Sequence, residues 1–180
     1  KAIRSFTDAP IRILVNTHIH PDHTGANAFF ARQGALIFAQ DNLRNEMLRP
    51  PLRPNGQPAP APDMAGVPVV TYVYNPAARG EPAVTLNMNG ETVDFIPMMP
   101  SHTAGDTVVR FRRANTIYIE DFYRNFGYPF ADQANGGSIA GMLDAIDLFA
   151  KIAGPDTWLV PGHGTLIKKA DLQAYRAMLV

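Results

Sequence analysis

The chain has 180 residues, of which 46% are hydrophobic and 18% are charged, and these proportions predict one domain over residues 1–180. Its 16 basic and 16 acidic residues balance without any basic stripe, so we expect neither nucleic acid nor a membrane surface as a partner. The absence of cysteine excludes disulfides, thiol nucleophiles and cysteine-ligated zinc. Composition indicates no cellular compartment, so localisation stays unknown.

Hydrophobic periodicity predicts alternating strands and helices in the first part of the chain. In order, the predicted elements are a helix end within residues 1–8, a buried strand at 11–15, a helix at 26–33, a strand at 35–39 and a helix at 41–48 capped by Asp41. Seven prolines between positions 50 and 68 exclude a helix from residues 49–68. We expect this segment to be a lid over a site or a surface linker.

The rest of the chain reads first as β-structure and then as helix. Two alternating segments at 84–88 and 92–97 flank Asn89-Gly90, which is a strong hairpin signal. Further strands are predicted at 107–113, 116–119 and 157–160. Ser138 is predicted to begin an amphipathic helix that extends to about Ala153, and a last helix covers residues 169–179. This order predicts a mixed α/β fold.

All five histidines lie in short turns that contain glycine or proline, and each turn follows an apolar strand. Three fall in the run Thr17-His18-Ile19-His20-Pro21-Asp22-His23-Thr24-Gly25, one is His102 in Ser101-His102-Thr103-Ala104-Gly105-Asp106, and one is His163 in Pro161-Gly162-His163-Gly164. Isolated core or surface histidines would not share such spacing. We therefore predict that these residues bind metal.

The first histidine run predicts two metal centres. His18 and His20 are two residues apart in a turn that leaves a strand, so both can reach one centre. Asp22 and His23 diverge from them and can serve a second centre nearby. The remaining two histidines add ligands from turns where glycine lets the backbone approach. Two cations also favour a bridging anion, and Asp121, at the end of the strand predicted at 116–119, is the best candidate.

Taken together, the His-x-His-x-Asp-His run, the His-Thr-x-Gly turn, the aspartate after a strand and the Pro-Gly-His-Gly turn resemble the metallo-β-lactamase superfamily along residues 11–180. The resemblance implies an αββα sandwich with two metals at one edge of the paired sheets. It implies a first metal bound by His18, His20 and His102, a second bound by Asp22, His23 and His163, and Asp121 as the bridge between them.

The activity implied by the resemblance is that of a metal-dependent hydrolase. Two divalent cations, zinc or else iron or manganese, would hold a bridging hydroxide that attacks a carbonyl carbon. Asp22 and Asp121 are the candidate catalytic residues, as proton shuttles. The expected partner is a small molecule, with β-lactams, lactones and related esters or amides in competition. Because many true metallo-β-lactamases lack a bridging aspartate, Asp121 favours a broader hydrolase.

Two other functions stay open. One is a mononuclear iron dioxygenase of the same fold, which metal analysis would distinguish. The other is a non-catalytic, metal-stabilised fragment that forms a homodimer. The family's opening strands, which precede the first histidine turn, have no counterpart in this sequence. We therefore expect either a truncated chain or a sheet edge completed by another chain.

A second departure from the family pattern lies beside the predicted bridge. The family usually has glycine where this chain has Glu120, and we expect this charged residue to perturb the second metal or to reach the rim of the pocket. Threonines and an aspartate in the histidine turns are candidates for orienting the imidazoles, with ordinary turn roles as the alternative; they are Thr17, Thr103 and Asp106.

Aromatic residues crowd the segment that follows the predicted bridge. Five of them, Phe122, Tyr123, Phe126, Tyr128 and Phe130, predict a hydrophobic wall for a small organic substrate or a satellite core beneath a loop. Arg124 is a candidate partner for a substrate carboxylate, with simple solvation as the alternative. For a lactonase, Tyr123 or Tyr128 is a candidate tyrosine near the reacting group.

Overall fold

The computed structural model describes residues 3–49, 55–57 and 60–180, and its strands form two sheets. The first sheet is parallel and contains β1 (Ile13–Val15), β2 (Leu36–Gln40) and β3 (Val70–Tyr72) in that order. The second contains β4 (Val84–Met88), β5 (Glu91–Pro97), β6 (Thr107–Phe111), β7 (Thr116–Glu120) and β8 (Trp158–Pro161), also in chain order. Strands β4 to β7 are antiparallel, and β8 runs parallel to β7.

The helices are short in the first half of the described chain and longer at its end. They are α1 (Pro21–Thr24), α2 (Asn27–Ala31), α3 (Asp41–Met47), α4 (Ile139–Ile152) and α5 (Leu172–Leu179). Helix α4 begins as predicted, since the Ser138 hydroxyl accepts a hydrogen bond from the Gly141 amide. No helix in the described ranges combines the length and the apolar character needed to cross a membrane.

Two apolar layers hold the fold together. The larger packs β5 to β8 against α4 and α5, with Phe122 and Phe149 in edge-to-face contact at its centre. The smaller lies between the two sheets, where Phe38 of the first sheet meets Phe95 of the second. Helices α2 and α3 pack against β2 of the first sheet. The order of helix, sheet, sheet and helix confirms the predicted αββα sandwich.

Most predicted elements are present within a few residues of their expected ends, and three predictions need correction. The helix end expected in residues 1–8 is a single 3-10 turn at Ile3–Ser5. Asp41 is the first residue of α3, and Gln40 occupies the capping position without a side-chain hydrogen bond. Strand β3 was not predicted, because three residues are too few to show alternation. Part of the segment predicted as a lid or linker, residues 50–54 and 58–59, lies outside the described residues; its described part includes a 3-10 turn at Met64–Gly66.

Strand direction explains why the predicted ligands can meet. Strands β5, β7 and β8 run the same way, so the turns that follow them lie at one edge of the second sheet. The turn after β1 is tied to this edge, since the Thr107 amide at the start of β6 donates to the Thr17 carbonyl at 2.8 Å. The four turns that carry the histidines and Asp121 therefore converge at one place.

Candidate metal centre

The turn after β1 is rigidly built by side-chain hydrogen bonds. The amides of Asn16 and Asn27 pair reciprocally, with distances of 2.9 and 2.7 Å. Asn16 also donates to the carbonyl of His23 at 3.2 Å, and Asn27 donates to the carbonyl of Gly66 at 2.8 Å. Both asparagines are buried. This network positions the histidine run independently of any bound ion.

Four side chains, which we call the first centre, direct their donor atoms toward one point. His18 Nε2 lies 3.0 Å from His20 Nδ1, and His102 Nε2 lies 3.2 Å from the same atom. Asp121 Oδ2 lies 3.8 Å from His18 Nε2 and 3.7 Å from His102 Nε2. All four donor atoms fall within 4.8 Å of one another. Such a set of three imidazoles and a carboxylate matches a four-coordinate metal site.

Three further side chains form the second centre beside it. His163 Nε2 lies 2.9 Å from Asp22 Oδ2, and His23 Nε2 lies 3.5 Å from the same oxygen. The carboxylate of Asp121 reaches this group too, with Oδ1 at 3.5 Å from His23 Nε2 and Oδ2 at 3.5 Å from His163 Nε2. The structure thus brings all seven predicted ligand residues together and puts Asp121 between the two groups.

The protonation and burial of these side chains fit divalent cations. Burial, together with neighbouring histidines, holds the pKa of His18 far below its ordinary value, and burial likewise lowers the pKa of His23 and of His102. A neutral imidazole keeps a free nitrogen lone pair for a metal. Asp121 Oδ1 is buried without a hydrogen-bond partner, which is costly for a carboxylate oxygen unless a cation faces it. The donor set suits zinc, iron or manganese.

Each imidazole of the first centre has an acceptor behind it. His18 Nδ1 lies 2.5 Å from Glu120 Oε2, and His102 Nδ1 lies 2.7 Å from the carbonyl of Phe130. His20 Nε2 lies 2.8 Å from Asp132 Oδ2. Such partners decide which ring nitrogen carries the proton and so which one faces the metal. Asp132 was not predicted, because its contact with His20 spans 112 residues and follows no local spacing.

The position of Glu120 corrects one expectation. Its side chain is fully buried, so it does not reach the pocket rim, and the imidazole that it contacts is His18 of the first centre. Burial raises the pKa of Glu120 well above its ordinary value, and the nearby carboxyl of Asp106 raises it further. Burial also raises the pKa of Asp106 to about 8, although the backbone amide and hydroxyl of Thr103 donate to it. Two buried carboxyls side by side favour holding one proton between them.

The other candidates for orienting imidazoles divide between the two centres. Thr17 Oγ1 lies 3.5 Å from His23 Nδ1, on the side away from the metal position. Thr103 and Asp106 bond to each other, and Asp106 also accepts from the backbone amide of His102 and lies beside Glu120. Asp22 is largely exposed to solvent. Its partial burial raises its pKa, but a backbone hydrogen bond and the nearby His23 lower the pKa further than burial raises it, so the carboxyl stays ionised.

Backbone shape at the end of β7 brings the bridge and the last histidine together. The pairing of β7 with β8 shifts register between Tyr118 and Glu120, and Glu120 itself has a φ of 41°. Such irregularities redirect a side chain at a sheet edge. The Gly162 amide donates to the Glu120 carbonyl at 2.7 Å, and a Cβ atom on Gly162 would overlap Asp121 Oδ1. Only glycine permits this approach.

A cavity of about 480 Å³ opens over the two centres. Beside the metal-type ligands, it is lined by Arg124, Phe126 and Phe130. The predicted aromatic wall is therefore divided, since Phe122 is buried in the core and Tyr123 packs against Tyr175. Tyr128 is exposed and does not line the cavity, so neither candidate tyrosine reaches the ligands.

Comparison with solved structures shows the same fold in proteins of low sequence identity. A metallo-beta-lactamase from Pontibacter korlensis superposes with a TM-score of 0.76 at 18% identity, covering 99% of this chain and 73% of that one. The metallo-beta-lactamase IND-7 gives 0.68 at 17% identity, covering 99% and 72%. TTHA1623 in a di-iron-bound form gives 0.65 at 18% identity, covering 96% and 79%. No curated protein matches this chain.

The sequence profile of one family covers nearly the whole chain. It is Lactamase_B, described as the metallo-beta-lactamase superfamily, and it matches residues 1–163. This range includes every residue of the two centres. The chain therefore belongs to the metallo-beta-lactamase superfamily, which confirms the resemblance inferred from its histidine turns.

Proposed function

We propose that this protein is a hydrolase that binds two divalent metal ions, with zinc as the expected metal, and attacks the carbonyl group of a small molecule. The observation that carries the proposal is the convergence of seven donor side chains into two adjoining centres joined by Asp121. Two bound cations would polarise a carbonyl and lower the pKa of water, so that hydrolysis needs no serine or cysteine nucleophile.

Protein groups supply the remaining tasks of such a reaction. Asp22 and Asp121 both line the cavity and are the candidate groups to accept the proton that the attacking water releases. The exposed ring faces of Phe126 and Phe130 supply apolar surface for the body of the substrate.

Arg124 favours a substrate that carries a negative charge. Its side chain is half-buried at the cavity wall, with the guanidinium carbon 5.8 Å from the ring centre of Phe126 and 5.9 Å from that of Phe130. Within the described residues, no carboxylate lies at ion-pair distance from it. A guanidinium that has no carboxylate partner and lies beside a reaction centre is suited to a substrate carboxylate. A cephalosporin has such a group, whereas a simple lactone does not.

Parallel assays of a chromogenic cephalosporin and a homoserine lactone, with zinc-loaded and manganese-loaded protein, test the proposal. We expect turnover of at least one substrate and its loss after chelation. Arg124→Ala should raise KM for the cephalosporin about 10-fold or more and leave the lactone unaffected. Arg12→Ala, an exposed arginine outside the cavity, is the matched control and should change neither. If neither the cephalosporin nor the lactone is hydrolysed, the choice of β-lactams and lactones as the leading substrate classes is wrong.

Two alternatives predict different results in the same experiments. A mononuclear iron dioxygenase would be isolated with about one iron per chain and would not hydrolyse either substrate. TTHA1623, which has the same fold, has been solved in a di-iron-bound form, so iron must be measured alongside zinc and manganese. A non-catalytic dimerising fragment would hold metal without turnover and would sediment as a homodimer.

A further inference from the structure

Glu120 has a backbone conformation that its own side chain does not favour. Three non-glycine residues in the described ranges have positive φ: Asn89 at 53°, Asn115 at 47° and Glu120 at 41°. Asparagine tolerates this left-handed region, and both asparagines lie in turns between strands. Glutamate adopts this region less readily than asparagine does. Glycine would adopt this φ without strain, so the presence of glutamate at this position points to a role for its side chain.

The side chain of Glu120 lies behind one ligand of the first centre. Its Oε2 lies 2.5 Å from the buried His18 Nδ1, and it also accepts from the Asp121 amide at 3.3 Å. Both Glu120 and His18 are completely buried. For His18 Nε2 to face a metal with its lone pair, Nδ1 must carry the ring proton, and that proton needs an acceptor where no water reaches.

We propose that Glu120 is a positioning residue of the first centre: it accepts the Nδ1 proton of His18 and so holds the ring with Nε2 toward the metal. The inference rests on the proposed binding of metal at this centre. On this account, the strained conformation is retained because glycine would remove the acceptor.

Three variants test the proposal. Glu120→Gly relieves the strain and removes the acceptor, whereas Glu120→Gln keeps the shape and a weaker neutral acceptor. Asn89→Gly is the matched control, since it relieves the same type of strain in the β4–β5 turn, far from the ligands. The measurements are metal affinity by competition with a chromophoric chelator, the visible spectrum of the Co²⁺-substituted protein, and the thermal stability of the metal-free chain.

We expect Glu120→Gly to weaken the tighter metal site about 10–100-fold and to shift the Co²⁺ bands of the first centre. Glu120→Gln should show the same changes to a smaller extent, and Asn89→Gly should match the wild type. Wild-type affinity and spectrum in Glu120→Gly would overturn the proposal. If Glu120→Gly does not fold, Glu120→Gln decides: a shifted spectrum supports the role and a wild-type spectrum overturns it. Failure of the wild-type protein to bind metal would instead refute the proposed function.

Discussion

The two centres contain similar ligands but differ in how the protein supports them. In the first, His18 and His102 are completely buried, and the outer nitrogen of each imidazole faces an acceptor. In the second, the side chains of Asp22 and His163 are 55% and 44% exposed. The described residues place only Thr17 Oγ1, at 3.5 Å, behind His23. The candidate ligands of the first centre are therefore held by buried contacts, whereas the second centre depends on exposed side chains, and we expect tighter metal binding at the first.

The largest effects are expected from two variants, each of which removes one histidine from one of the centres. His102→Ala takes away a buried ligand and leaves a cavity, so we expect at least about 100-fold weaker binding at the first centre and loss of hydrolysis. His163→Ala removes an exposed ligand and should release the weaker metal while the first stays bound. Metal content per chain, measured after gel filtration, distinguishes the two variants. Equal losses in both would show that the centres do not differ as described.

Removal of the shared carboxylate tests whether the centres are joined. Without Asp121, three imidazoles remain at the first centre, whereas the second keeps Asp22, His23 and His163, of which Asp22 and His163 are largely exposed. Asp121→Ala should therefore lower metal content mostly at the second centre, and activity with it. Retention of two metals per chain would refute the bridging role.

A smaller effect is expected from the carboxylate behind His20. Asp132→Asn keeps the volume of the side chain but weakens the acceptor that faces His20 Nε2 at 2.8 Å. We expect affinity at the first centre to fall about 10-fold, with the second centre unchanged. Asp156→Asn, at an exposed aspartate outside the cavity, is the control and should leave both centres intact. A weakened second centre would instead show that Asp132 supports the whole site.

The smallest expected effect lies outside both centres, on α3. Burial, with the charge of Asp132, raises the pKa of Glu46 to about 7 from 4.5. Because the folded chain then binds more protons than the unfolded chain between these values, stability falls as the pH rises from about 4.5 to about 7.

Glu46→Gln removes this dependence. In urea denaturation of chelator-treated protein, the wild type should lose about 1 kcal/mol relative to the variant across this window, a value reduced for solvent screening. A difference that stays constant with pH would contradict the raised pKa.

The convergence of the seven candidate ligands was predictable because each is part of a short local pattern at the end of an apolar strand. The two carboxylates behind the imidazoles were not. Asp132 approaches His20 across 112 residues of chain, and the role of Glu120 depends on a backbone angle that composition does not reveal. The aromatic segment after Asp121 was predicted as one wall, but Phe122 turns into the core while Phe126 and Phe130 line the cavity. Local sequence spacing thus predicts the candidate ligands better than the side chains that contact them from behind.

The most direct test of the account is metal content during graded chelation. Purified protein is dialysed against rising concentrations of a chelator, and zinc, iron and manganese are measured by elemental analysis at each step. The account predicts two metal ions per chain at the start, a plateau near one as the exposed second centre empties, and then complete loss. About one iron per chain at the start, or loss of both ions in a single step, would contradict it.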